Sequence, residues 1–496
     1  MKFNLFFILL FISCFQLQAQ YFYYPYSLQD DKRLEEKVYG NVKGHTSIKP
    51  YMLNFSQWII QDSVKPLVSG KDTSISILVK PVINSLFNQH VEQMHHYGLS
   101  LYATVFKKLS LTVNVSEWMV KPTDEQNQTA DSTGMLSHVG EINADHPYWY
   151  KTSFMGNLYW QTLPYLSFDV GVGKHFLGDG YRSLFLSDNA SPYPYLKGTV
   201  KIWKIEYLIL YGFLNEPKNL SFTMPEQRKN CTLHYLSWNI NKRLNINAFE
   251  TVIWQVHDSI GNRGIDVNYL NPIIFFRPVE YSLGSPDNVI MGAGLRYRIF
   301  KHTHLYGQLL IDEFKLSEIK AQKGWWGNKF GGQAGIKTYR LFNVSQLFGL
   351  LECNVVRPFT YAHSNYLSNW GNMHEPMASP LGANFLEVIA QINYTIKRWN
   401  ILGIVRYYKS GKGNADTNAG DNIYRSYNDN RTEYGNYLLV GNKQNVWCMD
   451  VGIYYLLNKP MHLKAFIGGS YQIINDEIAG QSEHGYIKVG IVTNLN

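Results

Sequence analysis

The stretch Tyr97-Gly98-Leu99-Ser100-Leu101-Tyr102-Ala103-Thr104-Val105 decides the fold. Tyr97, Leu99, Leu101, Ala103 and Val105 fall on one side of an extended chain and Gly98, Ser100, Tyr102 and Thr104 on the other. That is the two-residue period of a strand with one apolar face. The same pattern returns where Leu111, Val113 and Val115 alternate with Thr112, Asn114 and Ser116, and where Leu166, Phe168, Val170 and Val172 alternate with Ser167, Asp169, Gly171 and Gly173. Near the C-terminus, Trp447, Met449, Val451 and Ile453 alternate with Cys448, Asp450 and Gly452, and Leu463, Ala465 and Ile467 with Lys464, Phe466 and Gly468. Bulky apolar groups on one face and glycine, hydroxyl or charge on the other invert what a soluble sandwich needs. They suit a wet lumen inside and lipid outside.

Further strands are expected to begin near Ser74, Trp149, Gly198, Thr232, Leu244, Ile290, Thr303, Lys329, Phe348, Asn384, Trp399 and Gly485. The expected fold is therefore all-β: a transmembrane antiparallel β-barrel of about 16 to 18 strands, occupying residues 74–496. Aromatic groups at strand ends, such as Tyr148-Trp149-Tyr150, Tyr159-Trp160 and Tyr454-Tyr455, fit interfacial girdles. The competing fold is an aromatic-rich periplasmic sandwich or propeller. One departure from many barrels is the non-aromatic end, Thr493-Asn494-Leu495-Asn496.

The start of the chain agrees with export. Lys2, an apolar run from Phe3 to Phe15 and the small-residue site Leu17-Gln18-Ala19 make a secretory signal peptide over residues 1–19. Its apolar part is too short to span a bilayer, which takes about 20 residues. Lipidation at Cys14 is disfavoured by Phe11 and Phe15 on either side of it. Residues 20–73 lack sustained alternation and read as a short N-terminal periplasmic extension, with Tyr21-Phe22-Tyr23-Tyr24-Pro25 extended and Leu34-Glu35-Glu36-Lys37 opening a short helix. No later run approaches 18 consecutive apolar residues, so helical spans are excluded. The remaining cysteines, Cys231, Cys353 and Cys448, are too few and too scattered for a disulfide framework or a zinc site.

Four long polar connections, near Glu117–His146, His257–Asn288, Arg357–Ala383 and Lys409–Asn445, should face the cell exterior. The last mixes Gly, Asn, Asp and Tyr with Arg425 and Arg431, a composition that suits sugars and also suits any solvated loop.

Reactive chemistry is sparse. Gly171-Val172-Gly173-Lys174 fails the spacing of phosphate-binding loops and reads as lumen-facing glycine. Asp312 and Glu313 are adjacent, and strand neighbours point to opposite faces, so they are not expected to act together. His302 and His304 share a face but lack a third ligand in sequence. No nucleophile or zincin signature occurs, so neither an enzyme nor a cofactor or metal is expected. The net charge of +8 weakly favours acidic polysaccharide or lipopolysaccharide. Basic clusters of the kind that bind nucleic acid are missing from the sequence.

One block is unusually constrained: Gly173-Lys174-His175-Phe176-Leu177-Gly178-Asp179-Gly180-Tyr181-Arg182-Ser183-Leu184-Phe185-Leu186-Ser187-Asp188-Asn189-Ala190-Ser191-Pro192-Tyr193-Pro194-Tyr195. It resembles a block of Bacteroidetes gliding-motility proteins of the RemB type, themselves similar to the Wzi capsule-assembly superfamily. Matching stretches follow at Asp266–Glu280, Gln308–Phe314 and Val356–Tyr361. The resemblance implies an outer-membrane barrel of about eighteen strands that acts in surface-polysaccharide attachment or in adhesion linked to gliding. Its implied partners are outer-membrane lipid and lipopolysaccharide, a surface polysaccharide and other cell-surface motility proteins. The binding candidates are Asp179, Arg182, Asp188, Asn189, Arg277, Glu280, Asp312 and Arg357. They are expected on a polar lumen network, or in a loop ordered by its own hydrogen bonds. The alternative function is an outer-membrane channel for solutes or an exported polymer.

Overall fold

The computed structural model describes residues 21–23, 35–36, 44–54, 68–69, 75–88, 93–105, 108–121, 135–136, 140–141, 143–145, 148–216, 228–258, 261–272 and 287–493. The expected signal peptide, Arg277 and Glu280 lie outside them.

Eighteen long strands follow one another around a single sheet. They are β1 (Ile75–Asn88), β2 (Gln93–Val105), β3 (Leu109–Lys121), β4 (Tyr148–Leu163), β5 (Leu166–Gly173), β6 (Tyr193–Ile202), β7 (Ile205–Asn215), β8 (Arg228–Asn239), β9 (Leu244–Gln255), β10 (Asn288–Phe300), β11 (Thr303–Glu313), β12 (Lys329–Thr338), β13 (Leu347–Val356), β14 (Phe385–Ile396), β15 (Trp399–Lys412), β16 (Asn442–Asn458), β17 (Leu463–Asp476) and β18 (Gly480–Val492). Each is antiparallel to the next, and β18 closes onto β1 with Val492 opposite Asn84 and Lys488 opposite Asn88. Closure satisfies the backbone groups that lipid cannot.

The face assignment follows the alternation. Leu99, at 59% exposure, and Val170, Leu309, Val451, Ile467 and Ile487 are all exposed on the outer surface, while their neighbours Ser100 and Asp169 are buried inside. So much exposed apolar surface is a liability in water; around a closed barrel it is the part that lipid covers. This is the fold of an outer-membrane barrel.

One strand escaped the pattern reading. β7 reads Ile205-Glu206-Tyr207-Leu208-Ile209-Leu210-Tyr211-Gly212-Phe213-Leu214-Asn215, apolar on both faces. Its inward Leu208, Leu210 and Leu214 are buried in a core cluster rather than facing a wet lumen, and a strand covered on both sides does not alternate.

Connections sort by length. β4–β5, β6–β7, β10–β11 and β14–β15 are joined by two residues each, all at one end, and β1 starts and β18 finishes there. The long connections 122–147, 256–287, 357–384 and 413–441 all lie at the other end. In such barrels the short turns are periplasmic and the long loops outside.

Candidate functional site: a filled lumen under an aromatic outer face

The constrained block is the connection between β5 and β6, and it folds into the lumen. Leu184 and Phe185 are fully buried, with the Phe185 ring stacked at 4.8 Å on Phe249 of β9. The backbone of this plug carries polar groups that a lumen must satisfy, and strand side chains do so. Gln308 on β11 accepts from the Leu184 N–H at 2.7 Å and donates to the Leu177 carbonyl at 3.0 Å. Glu352 on β13 accepts from the Tyr181 and Arg182 N–H groups at 2.7 and 3.0 Å, from the Tyr306 hydroxyl at 2.8 Å and from Asn354 Nδ2 at 2.9 Å. Glycine at 180 allows this close approach, because a Cβ would run into the Arg182 carbonyl as well as Glu352 Oε2.

The connection 357–384 locks the plug from above. Tyr361 donates its hydroxyl to the Leu184 carbonyl at 2.8 Å, and Trp370 Nε1 donates to the Phe185 carbonyl at 2.7 Å. The Ser187 N–H donates to the Met377 carbonyl at 2.7 Å. At the end of the barrel that carries the two-residue turns, the segment 44–51 docks against the same plug. Ile48–Lys49 pairs antiparallel with Phe176–Leu177, and the Thr46 hydroxyl donates to Asp179 Oδ1 at 2.5 Å while accepting from Arg296 at 2.7 Å. Burial alone would raise the Asp179 carboxyl, yet Arg296 and Lys337 beside it hold it below its ordinary range. Lys337 also donates to Glu35 at 2.7 Å. Burial pushes the neighbouring His45 imidazole down to about 4.

The described candidate residues therefore occupy different places in the barrel rather than one shared cluster, while Arg277 and Glu280 lie outside the described residues. Arg182 pairs with Glu387 of β14 at 3.1 Å. The Asp188 carbonyl accepts from Lys174 at 3.2 Å, and Asn189 Nδ2 donates to the Pro376 carbonyl at 3.0 Å. Arg357 donates to the carbonyls of Asn328 and Asn436, each at 2.9 Å, tying two outer connections together. The block is thus ordered by partners far away in sequence more than by its own turns.

Asp312 and Glu313 need a correction. A bulge between Ile311 and Glu313 breaks the register, so Lys329 reaches Asp312 at 3.2 Å and Glu313 at 3.4 Å. Strict alternation placed them apart; the extra residue brings them to one cation. Of the two histidines, His302 sits in the β10–β11 turn 2.8 Å from Glu36, and His304 is buried in β11. Among the described residues no group of three or more metal-ligating side chains converges.

The outer end carries a second feature. The connections 314–328, which includes the helix α1 (Leu316–Ala321), and 413–441 meet through aromatic rings. Trp326 lies 4.7 Å from Tyr427 and 5.7 Å from Trp325, with the Arg431 guanidinium 4.1 Å over its ring. Trp325 Nε1 donates to Glu433 at 2.7 Å and the Tyr437 hydroxyl to the Gln322 carbonyl at 3.0 Å, while the Tyr434 and Tyr437 rings stay exposed. Sequence reading singled out the 413–441 connection but not Trp325 or Trp326, whose partners lie a hundred positions away. It also passed over Glu352 and Glu387, though a carboxylate on the lumen face of Leu350-Leu351-Glu352 or Phe385-Leu386-Glu387 is a sign of a fixed partner inside.

No family model matches the chain, and no curated relative does. Among solved structures, the chain is similar to Wzi, described as an outer-membrane protein involved in group 1 capsule assembly in Escherichia coli and a carbohydrate-binding β-barrel. That match has a TM-score of 0.57 and 11% identity, over 94% of this chain and 98% of Wzi. Pseudomonas aeruginosa OprD aligns over 87% of this chain and 96% of its own, at 8% identity and a TM-score of 0.44. Acinetobacter baumannii OccAB2 aligns over 84% and 96%, at 10% identity and 0.44. The chain thus has the architecture of an outer-membrane barrel shared with Wzi.

Proposed function

We propose that the protein is a non-enzymatic outer-membrane barrel that binds surface polysaccharide through its outer connections, for capsule-type retention or for adhesion during gliding. The observation that carries this reading is the plug: a barrel whose β5–β6 connection is packed across its interior under the outer connections offers ligand surface on those connections. There the rings of Trp325, Tyr434 and Tyr437 stand beside amide, guanidinium and carboxylate groups. Sugars need that mixture, since their C–H faces lie on rings and their hydroxyls need donors and acceptors in pairs. The fold shared with the carbohydrate-binding barrel Wzi supports the same reading.

The test is cosedimentation of the producing cell's own surface polysaccharide with proteoliposomes carrying the protein. Trp325→Ala and Tyr437→Ala should each cut binding about fivefold while heat-modifiable migration stays normal. A deletion strain with unchanged capsule, adhesion and motility but impaired uptake of a defined solute would overturn the proposal in favour of a channel.

A further inference from the structure

The plug does not fill the lumen evenly. From β7 to β14 the inward side chains are covered: Leu210, Leu233, Ile290, Leu310 and Val356 are at most 1% exposed. On β15 to β18 the alternation turns Arg406, Cys448, Asp450, Ser470, Gln472 and Lys488 inward, and none of them is buried. Their outward neighbours Val405, Met449, Val451, Ile487 and Val489 are exposed on the lipid side, so the exposure of the inward set is to space inside the barrel. Arg406 and Asp450 keep 30% and 35% of their side-chain surface open there.

These residues form a built polar face. Arg406 Nη2 donates to Asp450 Oδ2 at 2.9 Å and the Ser470 hydroxyl donates to Asp450 Oδ1 at 2.6 Å. This pair is partly open to the lumen rather than enclosed by the plug. The plug's edge lies beside it: Tyr181 and Ile404 of β15 both pack against the cluster around Tyr306, Tyr181 is close enough to Arg406 to interact with it electrostatically, and Arg182 stacks on the Tyr181 ring at 5.2 Å. One wall thus offers a guanidinium, a carboxylate and a hydroxyl in fixed register, and the other an aromatic ring.

We propose that this uncovered strip between the plug and β15–β18 is a groove that binds a segment of hydrophilic oligosaccharide, with Arg406, Asp450 and Ser470 as its hydrogen-bonding face. The proposal rests on the polysaccharide reading above and adds a second site to it, inside the barrel. The Arg406 guanidinium donates to one carboxylate among the described residues and has five donors in all. Its remaining Nη donors, with the carboxylate and hydroxyl, match the vicinal diols of a sugar.

The native cysteines provide the test. Cys448 is the cross-strand partner of Arg406 on the strip, Cys231 is buried in the core cluster beneath the plug, and Cys353 follows the exposed Leu351 on the lipid-facing side of β13. The folded barrel is treated with a small charged methanethiosulfonate and the sites are read by mass spectrometry. Cys448 should label within minutes, Cys231 should not, and Cys448→Ser should lose the signal. Oligosaccharides cut from the producing cell's surface polysaccharide should slow Cys448 labelling at least fivefold. Arg406→Gln and Asp450→Asn should each abolish that protection in barrels whose heat-modifiable migration shows them closed. A Cys448 that reacts only after unfolding overturns the open strip. Labelling without protection, while the polysaccharide still cosediments, overturns the groove and leaves the outer-face reading standing. Loss of cosedimentation by the unmodified protein overturns that reading, and the groove with it.

Discussion

Replacing Glu352 by alanine should unseat the plug without opening the wall. The carboxylate accepts from two plug N–H groups, one tyrosine hydroxyl and one asparagine amide at 2.7–3.0 Å. A buried donor left without its acceptor costs roughly 1–3 kcal/mol. Only the two plug N–H groups count towards plug docking, since Tyr306 and Asn354 belong to the wall. Together they lose roughly 2–6 kcal/mol, water entering the space restores part of that, and we expect a net cost to the docked plug of about 3 kcal/mol, with the β12–β14 backbone ladder untouched. Since about 1.4 kcal/mol is a tenfold change in population, the displaced plug should become roughly a hundred times more populated. Trypsin cleavage after Lys174 or Arg182 reads this directly when opening is fast relative to cutting. Glu352→Gln, which keeps an acceptor oxygen, should give a much smaller increase. Unchanged cleavage in Glu352→Ala, with heat-modifiable migration intact, would refute the idea that this carboxylate anchors the plug.

The faces of β5 make a second prediction. Val170→Arg should impair membrane assembly, by about 2–4 kcal/mol if the site lies at the bilayer midplane, whereas the lumen-facing Ser167→Arg should be better tolerated; equal yields of folded barrel would reverse the assignment. A third concerns acid. The docked segment holds His45 with its imidazole near 4, below an undocked value near 6.5, so the undocked form binds more protons as pH falls. The stabilisation is therefore complete above about pH 6.5 and is lost as pH drops towards 4, about 3 kcal/mol in all. The lowered Asp179 and Glu35 carboxyls act in the same direction. Protease access to residues 44–51 should rise between pH 6.5 and 4 and change little between pH 7 and 8; a flat profile across the acid range would show that His45 is not held neutral.

The barrel itself was legible in the sequence wherever a strand has lipid on one side and water or small polar groups on the other, because that difference of solvent is written residue by residue at period two. Leu99 against Ser100 and Val170 against Asp169 need no partner to be read. The reading lapsed where tertiary packing replaced the water. β7 is apolar on both faces because the plug covers its lumen side, and the bulge at Asp312 undid the rule that separates neighbours.

The site was legible only as a peculiarity of composition. The sequence marked the block from Gly173 to Tyr195 and the residues Asp179 and Arg182 within it, but a local string carries no information about partners 124 to 205 positions away. That Arg182 meets Glu387, that Glu352 and Gln308 hold the plug, and that Thr46 joins Asp179 to Arg296 were decided by barrel closure. Closure alone brings β8, β10, β11, β13 and β14 around one axis and makes each unsatisfied group in the lumen find the nearest donor or acceptor there.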